Sequence, residues 1–506
     1  MTLRISLNSP ERKLPEGARA VGCQYERVHL VGALGSGMQA LADVFRTAGC
    51  NVTGSDAQAI AEPNGLIHPG HAPHHVPEHA ELVVASGAVP EDNCELVRAR
   101  HLGIPTFSYA QMLGRLARGR TCLAVAGTHG KSTVAAMAAE ILLAAGLDPT
   151  VVLGAMPRDT GRNCFARQYP QGGRLGRSEL FLAEACEYAG NFLHLSPQVG
   201  LITGIEPDHF DCYRSRAELE AAFEKFASQV LPGGLLIVCG DCPVARRVAA
   251  TSPVRVMSYG FGEPNDVRAV ELRGTAGRYQ FNMVGHRQEC LCHRQGHGKV
   301  CLCHASIQLS VAGRHNVLNA LAAAALATAL EVPPPVIAAS LRSFPGLRRR
   351  LEVVPLLGGV RLIDDYAHHP TAVAATLATA REISGGRRLW CIFQPHQVSR
   401  TAALLDEFAA SLQNADKVCV TDVFRAREPV DSPTGELAAR LVDKCRRLGS
   451  DALHLHKIEQ VENWLAEAIW QGELTPGDVV VTMGAGDVGK IRNGLGQWIR
   501  KDRAAG

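Results

Sequence analysis

An excess of charge of either sign is what this 506-residue chain lacks: 52 Lys and Arg stand against 49 Asp and Glu, a net charge of +3. So small a balance excludes nucleic acid and an anionic membrane surface as partners. Aromatic residues are scarce, at 5%, and no apolar run reaches the length that spans a bilayer. The stretch Met1–Gly22 is punctuated by Arg and Pro and has no signal-peptide apolar core. It is expected to belong to a loosely ordered extension over residues 1–26, and the expected compartment is the cytoplasm. Cysteine is not scarce, with 16 in the chain. Most lie singly in apolar, strand-like runs (Cys122, Cys239, Cys391, Cys419), which suits reduced, buried thiols better than a disulfide framework. At this length one core is too few, and about three domains is the natural expectation.

The most informative segment is Val125-Ala-Gly-Thr-His-Gly-Lys-Ser-Thr133. It follows the strand-like run Thr121–Val125 and opens an alanine-rich helix expected over Val134–Ala145. Gly127 and Gly130 let backbone N–H groups, with those of Thr128, His129 and Thr133, close on phosphate oxygens. Lys131 supplies a cation for the terminal phosphates, and Ser132 offers a hydroxyl to Mg²⁺. The loop is short, because Val125 stands where the usual Gly-x-x-x-x-Gly-Lys spacing needs glycine. ATP is the expected nucleotide.

Before this loop, a strand-like Arg27–Gly32 runs through Gly32-Ala-Leu-Gly35-Ser36-Gly37-Met38 into a helix, and a second strand ends at Asp56. That layout serves a nucleotide pyrophosphate and ribose, although any doubly wound domain can place a glycine turn there. Leu82–Ala88, containing Ser86, is a further buried strand. After the loop, Leu180–Ala183 ends at Glu184-Ala-Cys-Glu187, and Val199–Thr203 ends near Asp208-His209. Ligands gather at the carboxyl ends of parallel strands, so Glu184 and His209 should project to the edge that carries Lys131 and Ser132, as donors for Mg²⁺. Asn316 and Asn319 share one face at the start of a helix, where they either contact a base or cap the helix. Strands expected at 360–363, 389–393, 417–421 and 478–482 end near Asp365 and His368, His396 and Arg400, and a glycine-rich turn at 484–489. The organisation expected is α/β in three domains: Rossmann-like at 27–118, a P-loop ATPase-like mixed or parallel sheet at 119–343, and Rossmann-like again at 344–506.

Seven segments in this order resemble the Mur ligases over nearly the whole chain. They are Gly35-Ser-Gly-Met38, Gly127-Thr-His-Gly-Lys-Ser132, Glu206-Pro-Asp-His209, Gly313-Arg-His-Asn-Val-Leu-Asn-Ala320, Asp364-Asp-Tyr-Ala-His-His-Pro370, Gln394-Pro-His396 with Ser399-Arg-Thr401, and Met483-Gly-Ala-Gly-Asp487. The resemblance implies an ATP-dependent carboxylate–amine ligase of peptidoglycan precursor synthesis. It would phosphorylate the lactyl carboxylate of UDP-N-acetylmuramate and let the amine of L-alanine displace phosphate. It implies that Gly35, Ser36, Gly37, Met38, Asp56 and Ser86 serve the UDP-sugar, and that Lys131 holds the β- and γ-phosphates. Ser132 would take one Mg²⁺, with Glu184 and His209 holding a second. Asn316 and Asn319 would face adenine, Asp365 the ATP ribose, and His368, His396 and Arg400 the amino acid. A recycling ligase that attaches a preformed peptide is the rival within the family. A nicotinamide-dependent oxidoreductase, suggested by the turn at 32–37, leaves Lys131, Glu184 and His209 unexplained. Monomer and homodimer both remain open.

The chain departs from the family pattern at Cys186 and Tyr188 (commonly Asp and Ser), Gly204 (Asn), Gln397 (Arg) and Ala372 (Glu). Gln397 and Ala372 bear on which amino acid is accepted. A second oddity is Cys290-Leu-Cys292-His293 repeated as Cys301-Leu-Cys303-His304. These residues either hold Zn²⁺ or alternate along the two strands of a hairpin.

Overall fold

Three sheets follow one another along the chain in a computed structural model that describes residues 25–60, 66–158, 170–285, 304–355 and 359–492, apart from Arg427, Pro429, Val430 and Ser432. The first contains β1 (Arg27–Val31), β2 (Asn51–Asp56), β3 (Ile67–Pro69), β4 (Leu82–Ala85) and β5 (Thr106–Ser108), ordered β3-β2-β1-β4-β5 and parallel throughout. Strands buried on both faces read as continuous apolar runs, as Leu82–Ala85 does. Helix Ser36–Thr47 covers this sheet with Met38, Leu41, Val44 and Phe45, all buried; each such side chain contributes about 1.5–3 kcal/mol on burial.

The central sheet holds β6 (Thr121–Ala126), β7 (Thr150–Val152), β8 (Gly173–Arg174), β9 (Leu180–Glu184), β10 (Val199–Ile202), β11 (Leu235–Cys239), β12 (Arg255–Gly260), β13 (Val267–Thr275), β14 (Arg278–Gly285) and β15 (Ala305–Ala312). Its order is β15-β14-β13-β12-β11-β10-β6-β9-β7-β8. The strands from β12 to β9 run parallel, whereas β13, β14 and β15 pair antiparallel. The buried helix Arg314–Ala329, rich in alanine, packs against helix Lys131–Ala144 beneath the sheet. On the opposite side, the Ala40 carbonyl of helix Ser36–Thr47 lies where a Cβ at Gly173 would sit. Only glycine permits that approach, and one core joins Leu41 and Phe45 to Val152 and Phe181.

The third sheet contains β16 (Glu352–Pro355), β17 (Arg361–Asp365), β18 (Leu389–Phe393), β19 (Lys417–Thr421), β20 (Asp451–Leu455) and β21 (Val479–Met483). The order is β16-β17-β21-β18-β19-β20, parallel except for the edge pair β16–β17. The expected α/β architecture is therefore present. Three local expectations shift: the helix expected from Val134 starts at Lys131 itself, the first strand of the third sheet extends through Asp365, and the strand expected over Leu82–Ala88 ends at Ala85, which leaves Ser86 just beyond it. The repeat from Cys290 to Cys303 and residues 1–24 lie outside the described residues. No helix among the described residues is long and apolar enough to cross a membrane.

Candidate active site

At the carboxyl edge of the first sheet the glycine turn closes around two side chains. Gly32 is left-handed (φ +76°), and a Cβ there would press on Ser86. Asp56 braces the turn: the Leu34 N–H donates to its Oδ2 at 2.9 Å and the Gln58 N–H to its Oδ1 at 2.9 Å. Gly35 precedes the helix that begins at Ser36 and carries Gly37 and the buried Met38. All six residues read as sugar-nucleotide contacts thus gather on one edge.

In the central sheet β10, β6 and β9 are neighbours, so the segments after Ile202, Ala126 and Glu184 emerge together. Gly127 (φ +125°) has no room for a side chain against Thr203, and Gly130 (φ +79°) has none against Asn319 Oδ1. The Asn319 amide in turn donates to Asn316 Oδ1 at 2.9 Å, while the Asn316 amide donates to the Ala312 carbonyl. No side chain caps this helix, so of the two earlier readings capping is not the one observed. Thr128 is tied to the loop after β10, its N–H donating to the Gly204 carbonyl at 2.8 Å and its Oγ1 accepting from Glu206 N–H at 2.9 Å. Ser132 and Thr133 lie in the first turn of the helix.

Lys131 donates to Glu187 Oε1 at 2.9 Å, and His209 Nε2 lies 3.4 Å from the same carboxylate oxygen. Burial opposes the charge on Lys131, but Glu187, with Cys186 and Glu184 nearby, outweighs it and raises the ammonium pKa. Burial likewise opposes the Glu187 carboxylate, and Lys131 and His209 together hold it below its ordinary value. Glu184 is turned aside, accepting the Gly154 N–H at 2.8 Å. The structure therefore brings Glu187, to which no role was given from sequence, into contact with Lys131 and His209, and leaves Glu184 beside it. His209 itself has a left-handed backbone (φ +55°). Its Nδ1 is buried with no hydrogen-bond partner among the described residues. A buried imidazole nitrogen left without a hydrogen-bond partner is a donor available to a divalent cation.

The third sheet presents its carboxyl edge to the same loop after β10. Arg400 is 2% exposed; its Nε donates to Asp208 Oδ1 at 2.6 Å and its Nη1 to the His396 carbonyl at 3.1 Å. Burial opposes the Asp208 charge, yet Arg400, His209 and His368 hold its carboxyl far below the carboxylate range. His368 donates from Nδ1 to the Tyr366 carbonyl at 2.8 Å, and its ring lies 5.8 Å from that of His396. Burial and the neighbouring Arg400 keep His368 neutral. Asp365 accepts one N–H on each oxygen, from Leu351, just before β16, at 2.7 Å and from Ala367 at 2.8 Å. Glu206 bridges the two sheets, accepting from Thr371 Oγ1 at 2.6 Å and lying 3.2 Å from His129 Nε2; burial opposes its charge, but His129 and Thr371 pull it down to about 2. The turn at 484–489 wraps Arg349, whose Nη1 donates to the Gly486 carbonyl at 3.1 Å.

Two of the departures meet. Tyr188 donates to Asp211 Oδ2 at 3.2 Å, and the Gln397 amide reaches the same oxygen at 3.4 Å. Gln397 is 2% exposed and left-handed (φ +69°), a conformation that costs a non-glycine residue about 1–3 kcal/mol and clusters at functional sites. Asp208 carries no sequence signal beyond its place in a motif and Asp211 stands outside the motifs, because their partners lie far along the chain.

Three family descriptions match consecutive parts of the chain: "Mur ligase family, catalytic domain" over residues 27–121, "Mur ligase middle domain" over 125–327, and "Mur ligase, glutamate ligase domain" over 349–486. UDP-N-acetylmuramate–L-alanine ligase of Desulfitobacterium hafniense is 36% identical over 475 residues, covering 92% of this chain and 99% of the relative. The enzyme of the same name from Frankia casuarinae is 38% identical, covering 92% and 96%. Among solved structures, UDP-N-acetylmuramate–alanine ligase of Thermotoga maritima superposes with a TM-score of 0.73 at 24% identity, covering 95% of this chain and all of that one. A murein peptide ligase from Psychrobacter arcticus gives 0.69 at 24% identity, covering 93% and 99%.

Proposed function

The chain belongs to the Mur ligase family, and we propose that it joins L-alanine to the lactyl carboxylate of UDP-N-acetylmuramate with ATP, through an acyl phosphate. One observation carries this reading: the loop after β10 joins the phosphate loop to the histidine–arginine edge of the third sheet, through Thr128 on one side and Arg400 on the other. A nucleotide site and an amine site then face a single reacting carboxylate.

A free carboxylate resists attack because its leaving group would be oxide; phosphorylation makes that group phosphate. Negative charge builds on crowded oxygens in both steps, so fixed cations aimed at them supply the larger part of catalysis. Lys131 takes the β- and γ-phosphates, exchanging its Glu187 contact for them, and the backbone N–H groups from Gly127 to Thr133 cradle the rest. Ser132 is assigned to one Mg²⁺, and Glu184 and His209 to a second, with Glu187 orienting His209. Bound there, Mg²⁺ would neutralise charge on the transferred phosphoryl group. Asn316 and Asn319 are assigned to adenine and Asp365 to the ribose. His368 and His396 flank the incoming amine, and a neutral His368, its Nδ1 engaged by the Tyr366 carbonyl, offers Nε2 as a hydrogen-bond acceptor that orients the amine. Arg400 holds this wall to Asp208 while offering its remaining guanidinium edge to the amino-acid carboxylate. Gly35, Ser36, Gly37, Met38, Asp56 and Ser86 receive the UDP-sugar.

Phosphate release from ATP with UDP-N-acetylmuramate tests the assignment, using alanine, serine, glycine and a tripeptide in turn. Release driven by alanine supports it. Release driven only by the tripeptide makes the chain a recycling ligase, and no release with any acceptor overturns the reading.

A further inference from the structure

β20 ends in His454-Leu455 and His456 follows directly, so the two imidazoles stand two residues apart at the end of the strand. The neighbouring β19 ends at Thr421, in register with Leu455. The next residue, Asp422, reaches both histidines: its Oδ1 lies 2.8 Å from His454 Nε2 and 3.1 Å from His456 Nδ1. The two rings are 4.4 Å apart. His454 is largely buried and His456 largely open, so the group is anchored on one side and reachable from the other. Gly435, at the start of helix Thr434–Arg447, faces the same atoms without a side chain; a Cβ there would sit 3.2 Å from Asp422 Oδ1 and 3.6 Å from His456 Nδ1.

We propose that Asp422, His454 and His456 form a binding site for one divalent transition cation of the zinc type, separate from the Mg²⁺ chemistry of the ligase. Two imidazole nitrogens and one carboxylate oxygen suit zinc, cobalt or nickel better than Mg²⁺, which prefers a shell richer in oxygen. The three donor atoms lie within 4.8 Å of one another. Bonds of about 2.0–2.2 Å to a tetrahedral ion would space them about 3.4 Å apart, so a widening of roughly half an ångström admits the ion and leaves one position for water. Asp422 stands two residues before Phe424, whose ring stacks on His396 at 5.6 Å. A cation there would tie the ends of β19 and β20 together beside the wall that receives the amino acid.

Histidine acylation by diethylpyrocarbonate, read peptide by peptide with mass spectrometry on the full chain, resolves this site from any other. Zinc added in the presence of excess Mg²⁺ should protect His454 and His456 together, and Mg²⁺ alone should protect neither. Asp422→Asn, which keeps the side-chain shape, should raise the zinc concentration for half-protection by about 10-fold or more, since even outer partners of a metal are worth that much. His456→Ala, at an open position, should abolish protection of His454. Equal acylation with and without zinc overturns the site, as does a midpoint that Asp422→Asn leaves unmoved.

Discussion

Gly130 and Gly146 offer a controlled pair for testing the phosphate loop. Both are left-handed, at φ +79° and +75°, but a Cβ at Gly146 meets nothing within 4 Å while one at Gly130 collides with Asn319 Oδ1. Alanine at either position bears a similar backbone cost, about 1–2 kcal/mol in the left-handed region. That cost is offset in part by the stiffer unfolded chain. Gly146→Ala should therefore lower the melting temperature slightly and leave kinetics alone. Gly130→Ala adds the displacement of Asn319 from Asn316, a hydrogen bond worth about 1 kcal/mol, which converts to about a fivefold rise in the KM for ATP. Gly130→Ala/Asn319→Ala removes the collision but also the Asn319–Asn316 hydrogen bond, so its KM for ATP should stay raised and Asn319→Ala should add little further loss of stability. Steady-state phosphate release and thermal melting on the three variants decide the matter. If Gly130→Ala and Gly146→Ala lose equal stability and share a normal KM for ATP, the close packing of Asn319 on a nucleotide-binding loop is refuted.

Lys131→Ala should reduce turnover by about 100-fold or more, as loss of a cation aimed at transition-state charge does, while UDP-sugar binding persists by calorimetry; retained turnover refutes the assignment. The same variant leaves Glu187 buried without its partner, a loss of about 3–5 kcal/mol, part of which Glu187→Gln in the same chain should restore in thermal melts. Burial, with Arg350 and His129, lowers His315 to about 4 from 6.5, so the unfolded chain protonates first as the pH falls. Its contribution to stability is complete above pH 6.5 and disappears towards pH 4, and His315→Gln should flatten the melting temperature across that window; an unchanged slope refutes it. Asp211→Ala removes the acceptor shared by Tyr188 and Gln397 and should raise the KM for alanine about fivefold without changing that for ATP. Equal rises for both substrates would place Asp211 elsewhere.

Most of the scaffold was legible because parallel strands buried on both faces, such as Leu82–Ala85 and Leu389–Phe393, announce themselves as short apolar runs. The strand–loop–helix around Gly127 and Gly130 was legible because the glycines and Lys131 sit between an apolar run and an alanine-rich one. A mixed sheet was among the expectations for the central domain, but its antiparallel strands β13 to β15 were not located, because only a few positions of each are buried and no continuous apolar run marks them. Pairings across long separations were equally silent. Arg400 was read as a free hand for a carboxylate, yet Asp208 takes its Nε. Glu187 was quoted within a motif and given no task, yet it is the residue that touches both Lys131 and His209. Such contacts depend on how three sheets are set against one another, which no local pattern encodes.

The loop that follows β10 has one further consequence. Thr128 is fastened to Gly204 and Glu206, while Glu206, Pro207, Asp208 and Asp211 take hydrogen bonds from Thr371, His369, Arg400 and Gln397. One short segment is thus the common floor of the edge proposed for the nucleotide and the edge proposed for the amino acid, and any coupling between them has a direct route through it. Whatever factor ATP imposes on the affinity for alanine, alanine must return to ATP unchanged. That equality follows from the closed binding cycle and holds whichever substrate arrives first.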